Sequence, residues 1–309
     1  MSVVFTFVPP NNTEPLSNTG DARVRSGDVA PALAWNAGFR SWQLEERGAP
    51  LAELDEAVAA RFKSLQLVVT HGAGELDPVT AARRVVALQA LSDGRISLRV
   101  PARGFADTEW QPSHIAFWRR TDEYLMLLKR LWANERPIDH EGPFYSVAGG
   151  FVPRKQPPSV HVPIRMSGLS GTALNVAGKH ADVFELTAGS PDEARLLAGR
   201  VRAAAARHGR QGKVRFALPV HWVADDAHAN AGFADLPRLP AQAALSLLGF
   251  IDAGVSEFMV AGIETTADLD AFGHVASFVR NSLARRDAAW AASSAVAAGR
   301  FDLVQRYGF

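Results

Sequence analysis

Eight short apolar segments alternate with eight longer segments of helical periodicity, and this alternation restricts the possible folds more than any other feature of the chain. The strand candidates span residues 3–8, 41–44, 65–70, 95–101, 162–167, 182–187, 214–222 and 257–261. The helical segments lie near residues 23–37, 52–62, 78–91, 113–134, 170–179, 191–208, 238–253 and 266–284. Strands that alternate with helices indicate βα units and a parallel sheet. Eight such units predict an α/β fold, a (β/α)8 TIM barrel formed by one domain over residues 1–309.

The composition limits the classes of function. With 309 residues, of which 47% are hydrophobic, the chain can bury a large core, and barrels of this kind commonly form one domain at that length. The 33 basic and 32 acidic residues leave a net charge of +1, which gives no electrostatic reason to expect a nucleic acid or an anionic membrane as partner. Because cysteine is absent, a disulfide framework, a thiolate nucleophile and a cysteine-based zinc site are excluded.

Targeting signals are not evident in the sequence. The first ten residues carry no basic region, and the apolar run at 3–8 is too short for a signal peptide. No stretch approaches the roughly 18 apolar residues that a membrane span requires. We therefore expect a soluble cytoplasmic protein.

Three segments depart from the alternation. Residues 139–163 are rich in glycine and proline and predict a β-hairpin over one end of the barrel, before strand five. Residues 224–240 are polar and alanine-rich, which is typical of a loop at the carboxyl-terminal face. Residues 284–309 predict an amphipathic helical tail that packs outside the barrel or on a second subunit.

The turn after the fifth strand is the first candidate for ligand binding. Ser167, Gly168, Leu169 and Ser170 follow the strand and open a helix. Small residues let the backbone approach an anion, and a helix N-terminus offers free N–H groups and a positive dipole. The turn therefore predicts a phosphate site. An ordinary capped loop is the alternative, since serine and glycine are common in such loops.

Two further residues lie where barrel active sites form. His221 is near the end of the seventh strand, where a histidine can act as a general acid or base. Its alternative is a hydrogen-bonded core histidine. Asn11 follows the first strand and can orient a polar ligand, although a simple turn explains it equally well.

Polar residues also end strands two to four. They are Glu45, Glu46, Thr70, His71 and Arg99. Any of them could face a pocket, whereas the two glutamates could equally form a solvated pair. The sequence contains no metal-ligand spacing such as His-Glu-x-x-His, so no metal is predicted. Residues 139–141 (Asp-His-Glu) are interpreted as the start of the hairpin.

A series of weak motifs occurs in order along nearly the whole chain. It comprises residues 76–83, 91–95, 120–125, 131–132, 141–145, 156–158, 168–170 and 260–262. These segments resemble the luciferase-like flavin-dependent monooxygenases, in particular the alkanesulfonate monooxygenase branch. The resemblance implies reduced FMN supplied by a separate reductase, and O2 as co-substrate for the oxidation of a small aldehyde- or sulfonate-like compound.

The resemblance also implies roles for individual residues. Gly168 to Ser170 would hold the FMN phosphate, together with Ser167 beside them. His221 matches a strand-seven histidine of the sulfonate branch and would transfer a proton or bind substrate.

At other positions this sequence departs from the branch. Asn11 stands where the branch has histidine, and Pro219 replaces an arginine that would anchor a sulfonate. Thr121 replaces a tyrosine that helps to bind phosphate, and Ala102 belongs to a pair that is polar near the isoalloxazine. Thr121 and Ala102 are therefore counted as cofactor-binding candidates at altered positions, and Asn11 as a catalytic one.

Two alternatives stay open. The first is an oxidoreductase that uses the deazaflavin F420, because relatives share the barrel. The second is a non-catalytic flavin-binding subunit. The family also implies that the chain can form a homodimer.

Overall fold

The computed structural model describes residues 3–9, 31–44, 62, 64–102, 113–153, 161–223 and 233–307, without side chains beyond residue 291. Its strands are β1 Val4–Phe7, β2 Ser41–Gln43, β3 Gln66–Thr70, β4 Ile96–Val100, β5 Ile138–Glu141, β6 Ser146–Gly150, β7 Ile164–Met166, β8 Val183–Glu185, β9 Arg215–Val223, β10 Ala234–Pro237 and β11 Glu257–Ala261. Its helices are α1 Pro31–Asn36, α2 Pro78–Leu91, α3 His114–Ala133, α4 Gly171–His180, α5 Pro191–Arg207, α6 Pro240–Asp252 and α7 Thr266–Tyr307.

Eight parallel strands close into a barrel. The order around it is β1, β2, β3, β4, β7, β8, β9 and β11, and β11 pairs again with β1. Each of the eight predicted strands is present, inside its predicted range or one residue beyond it. The predicted TIM barrel is therefore confirmed. The helix predicted near residues 52–62 lies outside the described residues.

Local chemistry explains where the helices begin. The Asp77 carboxylate accepts the N–H groups of Val79 and Thr80 at 3.1 and 3.0 Å, and Pro78 occupies the first helical position of α2. Ser190 and Pro191 start α5 in the same way, since the Ser190 hydroxyl accepts the Glu193 N–H. These side chains bond amides that have no intrahelical partner.

Aromatic side chains fill the space between the barrel and its outer helices. Phe5 of β1 meets Phe272 of α7 edge-on, with ring centroids 5.3 Å apart. Phe39 stacks on the same ring at 5.1 Å. The outward face of the strands is thus apolar and holds the helices in place.

The inside of the barrel is charged. Arg165 of β7 is buried and forms ion pairs with Glu185 of β8 at 3.3 Å and with Glu257 of β11 at 2.9 Å. Arg99 of β4 also donates to Glu185, at 2.9 Å. Burial pushes the pKa of Glu185 upward, but the two guanidinium groups outweigh it and hold the pKa below its usual value. Two positive and two negative side chains therefore balance one another below the mouth.

The predicted hairpin is present. Strands β5 and β6 are antiparallel, with Glu141 opposite Ser146. Glu123 of α3 anchors the hairpin because its carboxylate accepts the Phe144 and Tyr145 N–H groups at 3.2 and 3.0 Å. His140 also lies 3.0 Å from Glu123.

One expectation about the fold is wrong. Residues 224–240 were predicted to form a loop, yet β10 pairs in parallel with the last part of β9, from Ala234 beside Val220 to Pro237 beside Val223. Strand β9 is nine residues long whereas β8 has three, so β9 extends past β8 and leaves an edge there. Ala234 and Leu236 are buried and place a short strand on that edge.

The carboxyl-terminal segment is helical, as predicted. It continues the eighth barrel helix without a break, so that α7 has 42 residues. Among the helices of the described residues, none combines the length and apolarity needed to cross a membrane.

Candidate active site

The carboxyl ends of parallel barrel strands meet at one rim, and most of the predicted site residues lie there. Ser167 follows β7, Ala102 follows β4, and His221 lies near the end of β9. Asn11, Glu45 and Glu46 lie outside the described residues.

The turn after β7 has the form of an anion site. Ser170 caps α4, and its hydroxyl accepts the Ala173 N–H at 3.1 Å. The backbone ladder of the helix starts with Leu174, which donates to the Ser170 carbonyl. The amides of Gly171 and Thr172 precede it and have no partner in the ladder, and a Cβ on Gly171 would meet no atom within 4 Å. These two amides are therefore available to a ligand.

Gly168 gives the turn its shape. Its φ is +124°, a backbone conformation that other residues rarely adopt. A Cβ there would lie 2.9 Å from the Ala173 Cβ and 3.0 Å from the Trp118 ring. Trp118 of α3 is completely buried and backs the turn. The backbone at this point thus has no room for a side chain.

A cation stands next to the turn. Arg200 of α5 is exposed, and its guanidinium lies 3.4 Å from the Leu169 carbonyl. No sequence pattern points to Arg200, because it is 31 positions from Leu169 and lies in the middle of a helix. The free amides, the absent side chain and the cation together suit an anion of the size of a phosphate.

The structure also describes two other predicted cofactor-binding residues, Thr121 and Ala102. Thr121 is completely buried in α3, and its hydroxyl donates to the Phe117 carbonyl at 2.9 Å. Ala102 lies in the bend after β4 and packs against the core. Thr121 is one helical turn from Trp118, and its hydroxyl is bonded inside α3.

His221 has an unpaired nitrogen. Its Nδ1 is buried and has no hydrogen-bond partner among the described residues. Its ring centroid is 6.2 Å from that of Phe233, and a Cβ on Gly262 would lie 3.0 Å from Nε2. Burial lowers the pKa of His221, against opposite effects of Asp235 and Glu264. The imidazole is therefore neutral near pH 7 and can accept a proton at one nitrogen.

The other polar residues at the strand ends differ in their bonding. The Thr70 hydroxyl is buried and has no partner in the part of the chain that the structure describes. Arg99 lies beside Thr70 in register and is bonded to Glu185. The two nitrogens of His71 are occupied, by Glu75 at 3.0 Å and by the Tyr124 hydroxyl at 2.7 Å. No cluster of metal ligands occurs within the described ranges.

Comparison with known families gives the site its context. A family model described as luciferase-like monooxygenase matches residues 43–296, which is most of the chain. The chain belongs to the luciferase-like monooxygenase family. The resemblance of the ordered motifs is confirmed, and membership of this family supports an enzyme. The family is flavin- or F420-dependent, and its monooxygenases act on small molecules.

One curated luciferase-like relative matches part of the chain. A sulfoquinovose monooxygenase from Agrobacterium fabrum is 30% identical over 167 residues. The match covers 51% of this chain and 40% of that protein, so the chain spans less than half of this relative's length.

Solved luciferase-like structures share the fold. A long-chain alkane monooxygenase superposes with a TM-score of 0.76 at 15% identity and covers 91% of this chain and 92% of its own. An EDTA monooxygenase from Chelativorans sp. BNC1 gives 0.74 at 16% identity, with 91% and 94% covered. An F420-dependent secondary alcohol dehydrogenase gives 0.72 at 16% identity, with 90% and 99% covered. At these identities the likeness concerns the fold alone.

Proposed function

We propose that the chain is a monooxygenase that uses reduced FMN and O2 to oxidise a small organic substrate. The observation that carries the proposal is the turn from Ser167 to Ser170, where Gly168 leaves no side chain and two helix amides are free. This turn fits the terminal phosphate of FMN, and Arg200 would add a charge-assisted bond to it. A separate reductase would supply the reduced cofactor.

Each residue of the site has a definable task. Reduced FMN, when held there, would supply the electrons for the activation of oxygen. The amides of Gly171 and Thr172 bind the phosphate, and Trp118 keeps the turn in shape. The half-buried imidazole of His221 takes or returns a proton, because burial lowers its pKa and keeps it neutral near pH 7. Asn11 is proposed as a catalytic residue that orients the polar substrate, and Ala102 as a residue that lines the cofactor. Thr121 is completely buried and its hydroxyl is bonded to the Phe117 carbonyl, so any effect of Thr121 on the cofactor would pass through α3.

Anaerobic titration tests the cofactor. The purified chain is titrated with oxidised FMN, photoreduced FMN and F420, and Trp fluorescence and flavin absorbance report binding. We expect reduced FMN to bind most tightly. Tighter binding of F420 would show a deazaflavin oxidoreductase, and loose binding of oxidised FMN alone would show a non-catalytic flavin-binding protein.

Riboflavin serves as the matched ligand because it lacks the phosphate. The Arg200→Gln substitution should weaken FMN binding about 5- to 30-fold, as expected for a lost charge-assisted bond, and leave riboflavin binding unchanged. Arg195→Gln on the same helix is the control, since Arg195 is exposed and pairs with Asp192. Equal affinities for riboflavin and FMN in the unmodified chain would place the phosphate elsewhere.

A further inference from the structure

His221 lies between two strands that bring acidic residues to the mouth. In the register of the sheet, Asp235 of β10 is beside His221 on one side, and Ala261 of β11 is beside it on the other. Neighbouring parallel residues at the same level point to the same face of a sheet. Asp235 is therefore on the side of the sheet to which His221 points. Glu264 follows the end of β11 by three residues, and both carboxylates are exposed.

The charges around His221 do not cancel. The groups that act on it from the packed elements are Asp235 and Arg238 at β10 and Glu264 after β11. Arg238 lies 3.5 Å from Asp268 of α7, so its positive charge is already compensated. Below the mouth, the two arginines of the barrel interior are bonded to Glu185 and Glu257. The described surroundings of His221 thus carry two uncompensated negative charges.

The same surroundings offer what an ammonium group needs. The His221 side chain is half-buried, and a neutral imidazole has one ring nitrogen that can accept a hydrogen bond. The Phe233 ring lies beside it, with ring centroids 6.2 Å apart, and the face of an aromatic ring attracts cations. Pro219, two residues earlier on β9, adds no donor that would bind an anion. The effect of both carboxylates on the pKa of His221 agrees with their closeness to the imidazole.

We propose that Asp235 and Glu264 determine substrate specificity by charge, so that the mouth beside His221 prefers an aliphatic amine to an uncharged molecule, and an uncharged molecule to a sulfonate. This inference rests on the proposed function, because it concerns the substrate of the same site. The FMN phosphate would bind after β7, which β8 separates from β9, so the acidic pair and the phosphate are held on different strands.

Three probes with the same propyl chain test the proposed order of affinities. They are propylammonium, 1-propanol and propanesulfonate, compared at fixed ionic strength. The NMR signal of His221, assigned with His221→Asn in histidine-labelled protein, reports binding without any flavin. Each of the two exposed carboxylates is expected to change the affinity for a charged probe about 1.5- to 5-fold. Propylammonium should therefore bind about fivefold more tightly than propanol, and propanol about fivefold more tightly than propanesulfonate.

Variants identify the residues responsible. Asp235→Asn and Glu264→Gln should each reduce the preference, and the double variant should abolish it. Asp192→Asn on α5 removes the same charge from an exposed position and should change nothing. Glu264 lies outside the strands, so Glu264→Gln still tests the charge preference if Asp235→Asn in β10 folds poorly.

The outcomes separate this inference from the proposed function. Tighter binding of the sulfonate, an unchanged order in the double variant, or no shift of the His221 signal by any probe would overturn the charge preference. The flavin titration would stand in each case. Conversely, failure of FMN to bind would leave the measured charge order intact.

Discussion

Gly168 illustrates how one residue can decide a binding turn. Its backbone lies in the left-handed region, and the atoms around it leave no space for a methyl group. The glycine is visible in the sequence, but the reason for it is not, since Trp118 arrives from a helix 50 positions earlier. The requirement is therefore tertiary rather than local.

Replacing Gly168 with alanine should damage the turn. We expect a loss of about 1–3 kcal/mol in the free energy of unfolding and weaker FMN binding, because the new Cβ meets Trp118 and the φ becomes strained. Urea unfolding and FMN titration measure the two effects. Gly199→Ala in α5 is the matched control, since a Cβ there meets nothing, and it should stabilise the chain by about 0.5–1 kcal/mol. Equal behaviour of the two variants would contradict this account of the turn.

His221 makes stability depend on pH. Burial holds its pKa below the usual value. The unfolded chain then binds more protons than the folded chain as the pH falls through about 6.5, so stability decreases there. His221→Asn cannot be protonated, and we expect it to reduce the loss of stability that urea unfolding measures as the pH falls below about 6.5. His274→Asn, at an exposed position on α7, is the control. Parallel pH profiles for His221→Asn and the unmodified chain would refute the effect.

At the scale of elements, the hairpin depends on one carboxylate from a helix. Glu123 is nearly buried in α3 and accepts two hairpin N–H groups, with His140 as a third partner. The glycine and proline content predicts the hairpin, while its anchor depends on packing.

Removing that anchor should destabilise the molecule. Glu123→Ala leaves two part-buried amides unpaired, and we expect a loss of about 2–4 kcal/mol in the free energy of unfolding. Glu141→Ala removes only an exposed bond to Ser146 and should cost no more than about 0.5 kcal/mol. Urea unfolding compares the two variants. Similar values for both would mean that the hairpin does not rely on Glu123.

How far the elements and the site follow from sequence depends on the range of the interactions. Periodicity predicts the eight barrel strands, because most of them are buried on both faces and lie in largely apolar segments. Strand β10 is not predicted, because its four residues include Asp235 and Pro237 and show no apolar run. It pairs with the part of β9 that extends beyond the three-residue β8. The turn at Ser170 is local and is predicted as such. Arg200 and Glu264 reach the site through helix packing and sheet order, which leave no local pattern.

The whole molecule is built around a balanced set of charges inside the barrel. Arg165 joins β7 to β8, the next strand along the chain, and also to the more distant β11, and Arg99 adds β4 through Glu185. Replacing one charged residue of this network leaves its buried partners without an opposite charge.

Replacing Arg165 with methionine tests the importance of this balance. We expect a loss of about 3–5 kcal/mol in the free energy of unfolding, because the buried Glu185 and Glu257 lose a shared cation. Arg286→Met removes an exposed ion pair with Asp252 and should cost less than about 1 kcal/mol. Chemical denaturation measures both. A small loss for Arg165→Met would show that water or other groups replace the guanidinium.

Strand β10 pairs with β9 alone among the described strands and takes no part in closing the barrel. The segment that carries Asp235 therefore lies outside the eight-stranded barrel, which is closed without it. Substitutions of Asp235 are therefore expected to change which molecules bind at the mouth while the closed barrel stays intact, so that chemical preference and fold depend on different strands.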